Sequence, residues 1–339
     1  MSVSVIIPVK NGALTLERCL KNIRNQSIPD IEIIVLDSMS TDDSREIALR
    51  YNAKIIEIPD GTFNHGLTRN LGVQCASGNY LFFTVQDAFL AGNDMLDKML
   101  SHFKDKNIMG VVGSQAVPHE KDKNPLIWYK RFSEPIAIIR EIKDKEYFLK
   151  ADHAHQRSLI AWDNVIAMYR KSALLEQPFV ATEFAEDWIW SRDALLKGWS
   201  LVYDSSVVTY HYHHQSYKYA YQVAYTLNYH FQKHFSFKPG IPDLIVPMLN
   251  ATYHLGKHPY LTLKEKLFWI LHNYNCSIAV FNSHVNYLLH LYIGGAKSIE
   301  KRYRKVCKLI PQGAQLKKQE VNPYTTIKKD NKTNKLKIK

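Results

Sequence analysis

Acidic and amide side chains follow three of the strands that this sequence predicts. Asn11 comes after the first apolar run, Asp37 after the second and Asp87 at the end of the fourth. In open α/β sheets, ligands bind outside the carboxyl ends of the strands. A carboxylate at such an end can hold a metal ion together with a phosphate-bearing ligand. The sequence therefore predicts a ligand site at this edge with Asp87 at its centre, although Asp37 is equally compatible with a turn or helix cap.

A second group of polar residues occurs in the segment Phe63–Asn70, which includes His65, Gly66 and Arg69. A helix that begins here would carry Arg69 one turn from its N-terminus, where a phosphate or the base beside it can bind. The alternative is a surface arginine next to a loop histidine.

Two adjacent carboxylates, Glu186 and Asp187, open a predicted helix that runs from Glu186 to Lys197 and ends before Gly198. Acidic residues at a helix start are favourable for the helix dipole, and that is one interpretation. The other is a general base, because a neighbouring negative charge raises the pKa of one carboxylate toward the working range.

Histidines alternate along the segment His211–His214. His211 and His213 would share one face of a strand, where imidazoles can join a carboxylate and a phosphate around a cation. A solvated aromatic patch is the alternative interpretation.

Strand and helix patterns alternate through the first 90 residues, which predicts right-handed βαβ units and a mostly parallel sheet. We expect a loop and helical insertion over residues 118–157. After Gln215, aromatic residues recur at helical spacing, which predicts a helical extension. The uncharged stretch Leu267–Ala296 carries several His, Asn and Ser residues and is a poor candidate for a membrane span.

Composition and charge limit the classes of partner and the cell compartment that this sequence predicts. The net charge of +12 is concentrated in residues 297–339, where 14 Lys and Arg face 3 Asp and Glu. A near-neutral body without a recognisable binding module argues against nucleic acid. The four cysteines lack zinc or redox spacing, and no glycine-rich dinucleotide or ATP motif is present. Together with a start that lacks a signal-peptide pattern, this predicts a cytoplasmic protein.

The order of these motifs resembles that of family-2 glycosyltransferases. The resemblance rests on Ser4–Gly12, on Glu32–Asp42, and on the acidic pair Glu186 and Asp187. The segment Phe63–Asn70 followed by Gln86-Asp87-Ala88 is similar to the rhamnosyltransferase branch of that family. The likeness covers residues 3 to 215.

The resemblance implies a GT-A fold, which is a Rossmann-like α/β domain. It also implies an inverting transfer of a sugar from a nucleoside-diphosphate sugar to a hydroxyl of a glycan or lipid-linked glycan, in bacterial cell-surface polysaccharide synthesis. Rhamnose is the sugar that the branch suggests. A catalytically inactive protein that binds nucleotide sugars or carbohydrates is the alternative.

The resemblance also implies roles for individual residues. Asp187 would be the catalytic base, with Glu186 as its positioner or substitute. Mg²⁺ or Mn²⁺ would be held by Asp87 together with His211, with His213 as the alternative histidine ligand. The family's Asp-x-Asp motif has Val85 in its first position here, so Asp87 is the carboxylate of that motif that remains. The residues expected to bind the donor are Pro8, Asn11, Asp37, His65, Arg69, Gln86 and Asp87.

We therefore expect a catalytic domain over residues 1–215, a helical extension over 216–310 and a basic, disordered tail over 311–339. The extension could act as a cap, as a homodimer interface or as an attachment to an anionic membrane surface through residues 260–310. The last option would place the protein on the inner face of the cell membrane.

Overall fold

The structure, a computed structural model, describes residues 2–120, 122–128, 136–307, 327–330 and 335–338. The chain divides into two compact units. The first comprises Met1–Ala116, Phe132–Tyr212 and Ala314–Lys339, and the second comprises Val117–Arg131 and His213–Gly313. The expectation of a disordered tail falls mainly on residues outside the described part, and the domain limits stay predictions.

Eleven strands lie in the described residues. They are β1 Val3–Val9, β2 Glu32–Asp37, β3 Lys54–Glu57, β4 Tyr80–Phe83, β5 Phe89–Leu90, β6 Ile108–Ala116, β7 Ala137–Arg140, β8 Ala167–Arg170, β9 Ser200–Tyr210, β10 Ile327–Asp330 and β11 Lys335–Ile338.

The described helices number twelve. They are α1 Ala13–Arg24, α2 Ser44–Arg50, α3 His65–Cys75, α4 Met95–His102, α5 Pro125–Trp128, α6 Lys145–Lys150, α7 His153–Ile160, α8 Lys171–Glu176, α9 Glu186–Lys197, α10 Tyr217–Phe235, α11 Ile245–Gly256 and α12 Leu263–Val306.

The strands form one mixed sheet in the order β10-β11-β3-β2-β1-β4-β8-β6-β9-β5, with β7 also paired to β9. Strands β1, β2, β3, β4, β6, β9 and β11 run in one direction. Strands β5, β7, β8 and β10 run in the other. The predicted α/β fold with a mostly parallel sheet is confirmed.

The central strands are apolar because helices cover both of their faces. In β1, Val5, Ile6 and Ile7 are all buried, although successive side chains point to opposite faces of the sheet. Strands that are buried on both faces lose the alternation of polar and apolar residues. The continuous apolar runs in the sequence are therefore the reason that these strands could be predicted.

Three local expectations were wrong. Strand β4 ends at Phe83 rather than Val85, so Asp87 lies in a turn before β5, with the Ala88 amide bonded to the Val85 carbonyl at 3.2 Å. The segment 118–157 contains strand β7, which the loop and helical insertion did not include. Strand β9 is one strand where two short ones were expected, because irregularities in its register let it continue beside β6.

The second unit is helical in its described residues. Helix α12 begins with a capping box in which Thr262 and Glu265 satisfy each other's backbone amides. Among the described helices, none combines the length and the apolar composition that spanning a bilayer would require.

A sharp turn at Gly295, whose φ is 59°, divides α12 into two arms. Residues on either side of the turn then face each other. Ser298 lies 2.8 Å from His290, and the Arg302 side chain donates to Asn286 at 3.2 Å. Helix α12 is therefore a helical hairpin, and its second arm packs back along its first.

Candidate active site

The site lies where parallel and antiparallel strands meet at one edge of the sheet. Strand β8 runs against β4, so that Ala167 at its start is opposite Phe83 at the end of β4. At the end of β9, Tyr210 is opposite both Ala116 of β6 and Phe89 of β5. Residues that follow β4 and β9 and residues that precede β8 are therefore brought to the same edge.

Asp87 and His211 form the first pair at this edge. The Oδ1 atom of Asp87 is 3.5 Å from Nε2 of His211, and both side chains are largely buried. The backbone amide of His211 donates to the Ala116 carbonyl at 2.9 Å, so the histidine extends the pairing between β6 and β9. The structure brings together the two residues that the sequence predicted for the metal.

The orientation of the His211 ring is set by two residues that sequence reasoning missed. Gln115 Oε1 lies 2.8 Å from His211 Nδ1, and the amide nitrogen of Gln115 donates to Asp163. That contact fixes which end of the amide faces the histidine. Since an amide oxygen only accepts, Nδ1 carries the proton, and in the neutral ring Nε2 directs its lone pair toward Asp87.

This arrangement fits a divalent cation. A carboxylate oxygen and an imidazole lone pair that face each other at 3.5 Å are two acceptors, and a shared cation satisfies both. Histidines that ligate metals typically donate their other ring N–H to an acceptor, as His211 Nδ1 does to Gln115 Oε1. His213 belongs to the second compact unit, and its part in such a site stays a prediction.

A buried ion pair is the second element of the site. The Arg69 guanidinium on α3 donates to Glu186 Oε1 at 2.7 Å, and the two side chains are 6% and 5% exposed. Such burial is costly for both charges unless they pair closely and find further hydrogen bonds. Asn164 provides one of these, because its Nδ2 donates to the same oxygen at 3.2 Å.

Helix α3 is held in place to make this contact. Asn64 caps it by accepting from the Leu67 amide at 3.0 Å. Gly66 lets the helix approach the chain ahead of α9, since a Cβ at that position would lie 1.9 Å from the Val180 carbonyl oxygen. His65 begins the helix, and its Nδ1 is 3.2 Å from Arg69.

Asp187 has a different environment from Glu186 although the two are adjacent. It remains partly exposed, and its carboxylate accepts from the backbone amides of Asn164 at 3.1 Å and Trp188 at 2.8 Å. Because α9 starts at Glu186, both acids stand in its first turn, where the helix dipole favours negative charge.

The pKa values of these two carboxylates are shifted in opposite directions. Burial raises the pKa of Asp187 well above its usual range, and the charges of Glu186 and Asp163 raise it further. At Glu186 burial also acts upward, but Arg69 and His65 outweigh it, so the pKa of this carboxylate is lowered. One acid is held ionised by its cation while its neighbour is poised to take a proton.

Asn164 is a central residue that the sequence did not reveal. It contacts both acids and also accepts from the Tyr169 hydroxyl at 2.5 Å, which in turn accepts from the Trp162 indole at 2.6 Å. The signal was present, because Asp163 and Asn164 stand just before an apolar strand. Residues that precede a strand reach the binding edge only when that strand is antiparallel to its neighbours, and the direction of β8 is not readable from local sequence.

The predicted donor-side residues form a network between the loops after β1 and β2. Asn11 accepts from the Thr41 amide at 2.8 Å, and Gln86 bonds the backbone of Lys10 at 2.9 Å. Pro8 lies within β1, opposite Leu36. The loops are thus tied to each other and to the turn that carries Asp87.

Asp37 is almost fully buried at the end of β2. Its Oδ1 accepts from the Ser40 amide at 3.2 Å, as the turn interpretation predicts. Its Oδ2 is 3.5 Å from Arg45 and has no hydrogen-bond partner among the described residues. A buried carboxylate oxygen without a hydrogen-bond partner can still accept a hydrogen bond from the hydroxyl of a ligand.

Comparison with known proteins identifies the chain. Residues 4–175 match the family model described as glycosyl transferase family 2. The chain belongs to this family. The resemblance inferred from the motifs is thereby confirmed, including the likeness to its rhamnosyltransferases, because two relatives carry that description.

The O-antigen chain rhamnosyltransferase WbaN of Salmonella anatum is 37% identical over 132 residues, which is 38% of this chain and 41% of that one. The O-antigen chain rhamnosyltransferase RfbN of Salmonella typhimurium is 29% identical over 80% of this chain and 82% of that one. Among solved structures, the mannosyltransferase PcManGT from Pyrobaculum calidifontis, in complex with GDP-Man and Mn²⁺, matches with a TM-score of 0.49 and 19% identity over 92% of this chain and 84% of that one.

We expect Arg69→Met to destabilise the first unit by about 3–5 kcal/mol, because it leaves Glu186 charged and buried without its cation. The double variant Arg69→Met/Glu186→Leu should recover most of that loss. The free energy of unfolding in urea measures both. Arg50→Met is the matched control, since its pair with Glu17 is exposed and should contribute under about 1 kcal/mol. If the two substitutions each lowered the free energy of unfolding and their effects simply added in the double variant, the ion-pair argument would be refuted.

Proposed function

We propose that this protein is an inverting glycosyltransferase that moves a sugar from a nucleoside-diphosphate donor to a hydroxyl of a glycan or lipid-linked glycan in cell-surface polysaccharide synthesis. The proposal is supported most directly by the contrast between Glu186, which is ion-paired and held ionised, and Asp187, whose pKa is raised beside it. Rhamnose is the proposed sugar because WbaN and RfbN are rhamnosyltransferases.

Asp187 is the proposed general base. A base must be ionised yet basic enough to take a proton from a hydroxyl, and a raised pKa provides that balance. Glu186 is a poorer candidate, because its Oε1 already accepts from Arg69 and Asn164. As Asp187 removes the proton, the acceptor oxygen attacks the anomeric carbon from the face opposite the diphosphate, which inverts the configuration.

Arg69 acts through Glu186 in this mechanism. Its guanidinium is directed at the carboxylate, which favours a role in holding the acidic pair over direct contact with the donor diphosphate. The ionised Glu186 then keeps the pKa of Asp187 high. The proposed donor contacts are Pro8, Asn11, Asp37, His65, Gln86 and Asp87, with Asp37 Oδ2 facing a hydroxyl of the nucleoside.

Asp87 and His211 are the proposed ligands of Mg²⁺ or Mn²⁺, with His213 as a third. When bound, such a cation neutralises charge that develops on the leaving diphosphate. The contribution of this chain is to orient the ligands, because Gln115 and Asp163 fix the ring of His211 before any cation arrives.

Asp187→Asn should lower turnover by about 100-fold or more, since general base catalysis contributes on that scale, while donor affinity stays within about twofold. In the native enzyme, kcat/KM should rise with pH through an apparent pKa above the ordinary range of aspartate. Release of nucleoside diphosphate measures turnover, and calorimetry measures donor binding. Near-normal turnover of the variant would exclude Asp187 as the base. Donor binding without turnover in the native protein would support an inactive binding protein instead.

Asp87→Ala should weaken binding of Mn²⁺ about tenfold or more, because it removes the carboxylate from the proposed site. Titration of Mn²⁺ followed by electron paramagnetic resonance measures this without the reaction. Asp60→Ala is the matched control, since Asp60 lies in an exposed loop. Equal affinities in the native protein and Asp87→Ala would exclude the proposed ligand.

We further propose that the second unit attaches to an anionic membrane surface through α11, whereas attachment through residues 260–310 stays a prediction. Helix α11 contains no charged residue, and Ile245, Val246, Leu249 and Tyr253 are 52–67% exposed on the face opposite its buried Ala251 and Leu255. Exposed apolar faces of this kind are typical of interaction sites.

The surrounding charge favours an anionic partner. Residues 213–313 carry 12 Lys and Arg against 3 Asp and Glu. All three acids have local roles, since Asp243 accepts from the first two amides of α11, Glu265 belongs to the capping box of α12 and Glu300 pairs with Arg304. An apolar helix face within a cationic surround is typical of peripheral binding to anionic lipids. A homodimer through residues 216–310 stays a prediction.

Full-length protein should float with phosphatidylglycerol vesicles and not with phosphatidylcholine vesicles. Ile245→Ser/Leu249→Ser should reduce the floating fraction about tenfold, because both side chains would otherwise insert. Leu14→Ser/Leu175→Ser removes two exposed leucines of the first unit as a control. Absence of flotation by the native protein would contradict the attachment through α11. Equal flotation by the native protein, the α11 variant and the control variant would contradict it as well.

A further inference from the structure

A groove in the second unit lies outside the proposed active site. It has a volume of about 620 Å³, and residues of α10 and of both arms of α12 line it. Among them are Tyr217, Lys218 and Tyr221 from α10, and Arg302 and Lys305 from the second arm of α12.

The groove exists because of the turn at Gly295. The second arm packs back along the first, and the contact between Arg302 and Asn286 fixes its position there. Beyond it, the Val306 carbonyl accepts from the Gln222 side chain of α10. Arg302 and Lys305 thus come to the same groove as Lys218, which is more than 80 residues away in the chain.

The charge of the groove has one sign. Three cationic side chains line it and no carboxylate does. Arg302 bonds to a neutral amide at Asn286, and within the described residues Lys218, Arg302 and Lys305 form no salt bridge. Cations gathered without acids repel one another and raise the local concentration of anions. Arginine and lysine are the side chains that proteins use most to bind phosphate groups.

The remaining lining is suited to a ring-shaped or sugar group. Tyr217 and Tyr221 are one helical turn apart on α10, and the Tyr217 hydroxyl accepts from Asn282 at 2.8 Å. Aromatic faces beside amide groups provide both apolar contact and hydrogen bonds. The lining of the groove therefore combines cationic side chains with aromatic and amide groups.

We propose that this groove binds a diphosphate-bearing ligand, with its phosphates at Lys218, Arg302 and Lys305 and its adjoining group against Tyr217 and Tyr221. The site goes beyond the proposed transfer activity, since its lining lies in the second unit and the argument uses none of the proposed catalytic residues. The diphosphate could come from a lipid-linked molecule or from a soluble one.

Calorimetric titration of the full-length protein with inorganic pyrophosphate and with geranyl diphosphate, in the presence of a chelator, tests the proposal. Arg302→Gln/Lys305→Gln should weaken binding of geranyl diphosphate at least tenfold, since each substitution removes a charged donor to phosphate. Lys301→Gln is the matched control, because Lys301 is exposed on the same arm and does not line the groove. Arg302→Lys retains the charge and should lose less.

Binding that is lost in the double variant and retained in Lys301→Gln supports the site. Tighter binding of geranyl diphosphate than of pyrophosphate then identifies a lipid-linked source, and equal binding identifies a soluble one. Affinity that is the same in the native protein and the double variant, or no binding of either probe, would overturn the proposal. Thermal unfolding checks that the variants are folded. This test is independent of the proposed transfer activity, because normal turnover of Asp187→Asn would exclude Asp187 as the base and would not affect binding in this groove.

Discussion

The ion pair between Arg69 and Glu186 is the interaction on which the proposed catalytic edge depends. It joins the start of α3 to the start of α9, segments that are 117 residues apart, and it does so in a nearly dry environment. Burying two charges is expensive, and a pair of well-packed apolar residues would be at least as stable. What the pair provides is an ionised Glu186 beside Asp187: burial raises the pKa of Asp187 most, the charge of Glu186 raises it further, and Arg69 opposes part of that rise.

The direction of β8 is the second constraint. Because β8 is antiparallel to β4 and β6, its start lies at the edge where those parallel strands end. Asp163 and Asn164 are thereby delivered to both halves of the site. Asp163 orients Gln115 toward the histidine, while Asn164 contacts both carboxylates of the acidic pair. One strand that runs against its neighbours therefore connects the proposed metal ligands to the proposed base.

In the second unit, too, one local feature of the backbone brings residues together that are far apart in the chain. A single residue with a positive φ, Gly295, reverses the longest described helix and so brings cations from its far arm back to α10. The three acids of residues 213–313 are occupied at helix starts and in one local ion pair. Its remaining charge is consequently positive, and it is available to phosphates in solution or at a lipid surface.

The sequence by itself determined the elements and most of the candidate residues. Strands β1 to β4 and helices α1 to α3 follow from apolar runs and helical spacing, which are local properties. Asp87, His211, Glu186 and Asp187 could be found because they stand beside such elements. Only the tertiary structure decided the partners: that Arg69 meets Glu186, that Asn164 joins the acids, and that α12 folds back. These contacts link residues far apart in the chain, and strand direction and ion pairing depend on the packed state as a whole, which no local pattern encodes.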